Sequence, residues 1–139
     1  MKIKDFYAEL IELSAQFLDI YNYRRSGKSG IFYRYNLDKS RGWIIGFRKS
    51  AYNSPEFCNF RIMHGSISTV ELRSFGMYRD KIRLEDLKTM IMDGYSLCDY
   101  SHEIDDLVVE IENVNDYFQY VILPELKKII NQQSSGFDD

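Results

Sequence analysis

Three arginines, Arg34, Arg48 and Arg61, stand in runs that alternate large apolar and polar residues, and three acids, Asp105, Asp106 and Glu112, stand in a run of helical period. The first set suits anion recognition, because a guanidinium forks onto a carboxylate or phosphate. The second offers carboxylates to a basic partner. Alternation puts Trp43, Ile45 and Phe47 on one strand face with Arg48 opposite, Cys58, Phe60 and Ile62 on one face with Arg61 opposite, and Arg34 opposite Ile31, Tyr33 and Tyr35. Arg34, Arg48 and Arg61 are therefore expected to share the outer face of adjacent strands, with Asn36 and Asn59 among them. Like charges on neighbouring strands repel, which favours a counter-ion, a carboxylate from the acidic half or an anionic ligand. A solvated open face is the plain alternative.

Other chemistries are set aside on spacing. Gly27-Lys28-Ser29 has the end of a phosphate-binding loop, but Asn22 occupies the place of its first glycine, and a helix precedes the motif where a strand is required. The two histidines, His64 and His102, have no second His or Cys at ligand spacing, so no zinc site is expected. Cys58 and Cys98 form no CxxC pair and read as reduced small hydrophobes. Asp106 and Glu110 stand one helical turn apart, as an acid–base pair would, although acids on the polar side of an amphipathic helix are commonly a solvated face. Phe32 and Tyr33 beside Arg34, and Phe47 beside Arg48 and Lys49, mix rings with cations as single-strand nucleic-acid platforms do, yet most of these rings alternate inward. No cofactor, no metal and no catalytic residue is expected.

Charge is divided unevenly along the chain. Residues 1–23 hold 2 basic and 4 acidic side chains, residues 24–83 hold 13 and 4, and residues 84–139 hold 3 and 13, so the segments carry −2, +9 and −10 within a net −3. A basic sheet and an acidic helical half either complement one another inside the fold or turn a charged surface toward a partner. A pI near 5.4 argues against phosphate-driven binding by the whole protein. The 139 residues suffice for one core, and a composition 45% hydrophobic with 2 prolines excludes disordered and collagen-like classes. No run approaches the roughly 18 apolar residues of a bilayer span. Asp5, Glu9 and Glu12 interrupt the place of a signal peptide, so a cytoplasmic protein with no membrane partner is expected.

The elements that must position these residues follow from period. Phe6, Leu10, Leu13, Phe17 and Tyr21 mark one face of a helix over residues 5–21, with Asp5 at its start and Asn22 as a left-handed stop. Ile31 to Leu37 and Trp43 to Arg48 alternate as a hairpin; Phe57 to His64 is a third strand, and Ile67 to Arg73 a weaker fourth. Leu84 to Asp93 reads as a short helix stopped by Gly94. Ser101 caps a longer helix whose core face is Ile104, Leu107, Val108, Ile111, Val114, Phe118 and Val121, and Pro124 kinks it or starts a last segment through Ile130. The polar residues 132–139 are expected to fray.

The order of this first helix, then Phe32-Tyr33-Arg34, then Trp43-Ile44-Ile45-Gly46-Phe47-Arg48-Lys49-Ser50, then Phe60-Arg61-Ile62-Met63-His64-Gly65, resembles a bacterial family of domains of unknown function, the one numbered forty-three hundred and four. The resemblance covers residues 17–67 clearly and extends loosely to Leu123-Pro124. Arg48 stands where that family's pattern has glutamine, and Met63 where it has asparagine. The resemblance implies a small α+β fold and an association with toxin-immunity neighbourhoods, and it supplies no activity.

The expectation is one α+β domain over residues 1–131, an antiparallel meander of about four strands packed by the N-terminal helix and C-terminal helices. Function is expected to be that of a binding module, a protein–protein interaction domain of toxin-immunity type whose acidic half, with Asp105, Asp106 and Glu112, occupies a basic site on its partner. Nucleic-acid binding through Arg34, Arg48 and Arg61 is the alternative. An enzyme with an unrecognised site is the third.

Overall fold

Helix α1 (Ile3–Asp19) forms where its period places it and buries Phe6, Leu10, Ile11, Ser14 and Leu18. The buried stripe is rotated slightly from the expected one, so that Leu13 and Phe17 pack at its edge and Tyr21 lies beyond the helix, exposed. Asn22 ends the helix at φ 66°, where its short polar side chain tolerates the left-handed region. The Tyr23 N–H donates to the Leu18 carbonyl at 3.1 Å and the Asn22 N–H to that of Asp19 at 3.0 Å, the paired bonds that satisfy a helix end turned back on itself. The structure, a computed structural model, describes residues 3–38, 41–49, 57–68, 98–103, 107–110 and 114–139.

Among the described residues six strands follow in one antiparallel sheet: β1 (Arg24–Arg25), β2 (Ile31–Tyr35), β3 (Arg41–Lys49), β4 (Phe57–Ser68), β5 (Cys98–Glu103) and β6 (Leu107–Glu110). β2, β3 and β4 make the expected meander, each pairing the next, and β1 adds a two-residue strand beside β2 that the sequence pattern does not predict. β4 runs unbroken through Ser68, so the weak fourth candidate begins as its continuation; residues 69–73 and the helix expected over 84–93 lie outside the described residues. β5 pairs the second half of β4 and β6 its first half.

Here the expected long helix is corrected. Cys98–Glu103 and Leu107–Glu110 are strands, and helix begins only at α2 (Val114–Tyr117). Short apolar runs fit either period, and Val108 and Val109 are β-branched residues that suit a pleated surface. β4 would otherwise expose twelve residues of unpaired backbone along one edge.

From α2 the chain passes through a π-helical turn, Phe118–Ile122, into α3 (Leu123–Gln133). Pro124 explains the turn: it has no N–H for the ladder, and the widened register, with the Leu123 N–H on the Phe118 carbonyl, lets the helix run into proline without ending. Of the two expectations for Pro124, the start of a last helical segment is the one observed.

Antiparallel partners share a sheet face, so the register assigns the sides. Phe32, Trp43, Ile45, Phe47, Phe60 and Ile62 form one core with α1, α2 and α3. Ile31, Ile44 and Met63, on the opposite side, are also buried. The sheet is therefore covered on both faces around these residues, which removes the expected open outer face there. No helix among the described residues is long and apolar enough to cross a membrane.

Candidate functional site

Arg34 pairs across the ladder with Trp43, so it lies on the helix-packed face, opposite to the side alternation proposed for it. Ile31, Tyr33 and Tyr35 take the other side. The inversion is physical: where both faces are buried, each set of alternating side chains is large, and size no longer tells inside from outside. Arg48 and Arg61 do meet, as direct cross-strand partners on that other side, both half-buried, and Arg61 is engaged by neighbours. The three-arginine platform is thus split between two faces. Asp105, Asp106 and Glu112 lie outside the described residues. His64 stands directly across from His102, a pairing that sequence spacing did not show, and two ligands fall short of a zinc set.

A buried guanidinium must be paired to be tolerated, and the partners of Arg34 come from two separate places in the chain. Only 5% of its side chain is exposed. One terminal nitrogen donates to the Tyr21 carbonyl at 2.6 Å, at the end of α1; the other donates to Asp139 Oδ2, also at 2.6 Å. The guanidinium carbon lies 3.6 Å from the centre of the Phe137 ring, a close cation–π contact, and 5.9 Å from that of Tyr23. Its Nε has no hydrogen-bond partner among the described residues.

The polar tail that supplies two of these partners is not frayed. Gln133 is buried and donates to the Ile44 and Gly65 carbonyls at 3.3 and 3.4 Å, while the Tyr23 hydroxyl donates to its Oε1. Gly136 lies so close to the Trp43 indole that a Cβ there would stand 2.7 Å from the ring, so only glycine fits this approach. Phe137 then sits edge-on to Trp43 at 4.9 Å, and the Asp138 carboxylate accepts from the Leu37 N–H at 3.0 Å. Boundaries drawn at residue 131 therefore cut through the packed domain. The signal available in the sequence was an aromatic residue after a glycine in an otherwise polar tail.

Together these elements wall an open cleft of about 930 Å³ between the turn after α1 and helix α3. Ile20, Tyr21 and Ile130 provide apolar surface, Arg34 and Phe137 line it near the tail, and Lys127 and Lys128 stand on α3. Ile20 is 73% exposed, an aliphatic side chain facing water at the cleft mouth. Three cations and one carboxylate, Asp139, line this cleft, and although Asp139 pairs with Arg34 and Glu125 with Lys128 at 3.3 Å, the lining keeps a positive excess. Burial pushes the Tyr23 hydroxyl, whose ring lies beside Arg34, well above its ordinary value. Tyr7, beneath β3, is likewise pushed up to about 12 by burial and donates to the Phe47 carbonyl at 3.0 Å.

The hydrogen bond from Arg34, followed by the attraction of its charge, holds the Asp139 carboxyl below its ordinary value of 3.8. Below that value the unfolded chain takes up the proton first, so the contact contributes fully above it and is lost as pH falls through the lower folded value. The Arg34 side-chain N–H resonances are expected to hold steady from neutral pH down to about 4 and to move only below it; movement near pH 6 would contradict the pairing. No family model, curated protein or solved structure matches the chain, and among the described residues no group of three His, Cys, Asp or Glu side chains is placed to hold a metal.

Proposed function

We propose that the protein is a binding module for a protein partner and that it engages negative charge on that partner at the Arg34 cleft. The observation that carries this reading is the combination found there: a nearly buried guanidinium, two lysines on exposed helix surface, and apolar side chains left facing water. Exposed apolar surface rimmed by charge is a common feature of interaction sites. Neutralisation of a toxin, the setting that the family resemblance suggests, is compatible with such a module, with recognition now argued from a basic cleft in place of an acidic helix. Nucleic-acid binding has less support, because Arg34 does not join Arg48 and Arg61.

Fluorescence anisotropy with a labelled peptide, acetyl-Asp-Asp-Phe-Asp-Asp-amide, tests the reading. Lys127→Glu combined with Lys128→Glu changes exposed side chains and should shift stability by no more than about 0.5 kcal/mol each. The double variant is expected to bind the peptide at least about tenfold more weakly than the parent, with the difference shrinking as salt rises. Equal affinity in the two proteins, or binding no tighter than to a peptide with lysine in place of aspartate, would count against the cleft. Tighter binding of a single-stranded oligonucleotide than of the peptide would favour the nucleic-acid reading instead.

A further inference from the structure

The guanidinium edge that a partner's carboxylate would use is already occupied by a carboxylate of the chain itself. Asp139 Oδ2 accepts from Arg34 at 2.6 Å and from the Asn22 side-chain amide at 3.3 Å. Unlike Gln133 and Phe137, which anchor the tail, Asp139 is exposed to water. Gln133 is buried on the sheet and Phe137 is wedged between Trp43 and Arg34, whereas Asp139 is held by its carboxylate at the water-facing end of the same segment. Arg34 is buried and needs a counter-charge, so Asp139 leaves only as an incoming carboxylate takes its place. The guanidinium Nε is buried and has no hydrogen-bond partner among the described residues.

We propose that the cleft takes a partner segment in which acidic residues flank a large apolar side chain, and that Asp139 is a built-in competitor for Arg34 that this segment displaces. The proposal rests on the Arg34 cleft being the binding site. The incoming carboxylates pair with Arg34, Lys127 and Lys128, and the apolar side chain lies on Ile20 and Tyr21, which are 73% and 37% exposed. Phe137 stays on Trp43, so only the end of the tail moves. Such intramolecular occupation lowers apparent affinity by the fraction of molecules in which Arg34 is free. It also sets a threshold: a single weak carboxylate does not enter, while a segment that adds apolar contact and reaches the lysines does.

The test uses the full chain and the same labelled peptide, acetyl-Asp-Asp-Phe-Asp-Asp-amide, with an alanine-centred version for comparison. Asp139→Asn removes the competing charge and is expected to tighten peptide binding about tenfold, while Asp139→Glu, which keeps it, stays close to the parent. Emission from Trp43, the only tryptophan, should be unchanged in both variants, showing that Phe137 remains docked. The phenylalanine peptide should bind more tightly than the alanine one, and Ile20→Ser should narrow that difference. Equal affinity of parent and Asp139→Asn would overturn the competition while leaving the cleft reading intact. Weaker binding by Asp139→Asn would mean that Asp139 positions Arg34 for its ligand, which also overturns it. Peptide binding to none of the proteins would remove the cleft reading and the competition together, and a red shift of Trp43 in Asp139→Asn would show that the whole tail, not its end, is released.

Discussion

Replacing Phe60 with alanine should cost about 4 kcal/mol of stability, the range for an aromatic ring removed from a close-packed core that relaxes only in part. Phe60 is fully buried on β4 and is the ring through which three elements meet. Phe6 and Tyr7 of α1 stack on it at 5.8 Å, with interplanar angles of 16° and 13°, and Tyr117 of α2 approaches at 5.8 Å, tilted by 41°. Losing it opens a cavity that faces both helices and the sheet at once, so no single side chain can swing in to fill the space. Thermal unfolding followed by far-ultraviolet circular dichroism should show a midpoint lower by about 15 °C for a chain of this size. A loss below about 1 kcal/mol would mean that α1 and α2 do not pack on β4 as described.

Gln133→Leu should lower stability by about 3 kcal/mol, although it places a larger apolar surface at a buried position. The amide answers three groups at once: it donates to the Ile44 and Gly65 carbonyls and accepts from the Tyr23 hydroxyl. Leucine fills much of the volume and satisfies none of them, leaving a buried hydroxyl without its acceptor. The variant should also loosen the tail beyond it, because Gly136 and Phe137 reach Trp43 only while α3 is held against the sheet. Urea denaturation gives the stability change, and a red shift of Trp43 emission in native buffer gives the loosening. A variant as stable as the parent, with unchanged emission, would return residues 132–139 to the solvated tail suggested by composition.

The two results concern elements of unequal legibility. Helix α1, its stop at Asn22, and the meander of β2, β3 and β4 were readable because each buries a side-chain set whose period, 3.6 or 2, is written in neighbouring residues. Local backbone preference and burial agree there, so position along the chain is enough. Residues 101–103 and 107–110 are strand where their period suggests helix, because Leu107, Val108 and Val109 satisfy both periods over so short a run. What decided between them was the open edge of β4, a partner roughly fifty residues away in sequence.

The candidate site belongs to the second kind. Arg34 stood out in the sequence as an anion-binding residue, and that chemistry follows from the guanidinium alone. Its face did not, because Ile31, Tyr33 and Tyr35 are as fit for burial as Phe32, and only pairing with Trp43 settled which set turned toward the helices. Lys127, Lys128, Phe137 and Asp139 carried no signal that linked them to residue 34, since about a hundred positions separate them. The amino-acid sequence by itself determined the residue chemistry, the first helix, the central hairpins and the uneven charge. The tertiary structure alone decided that a basic residue would be buried, which carboxylate would hold it, and which surface would stay open, because these depend on elements brought together only when the sheet closes against α1 and α3.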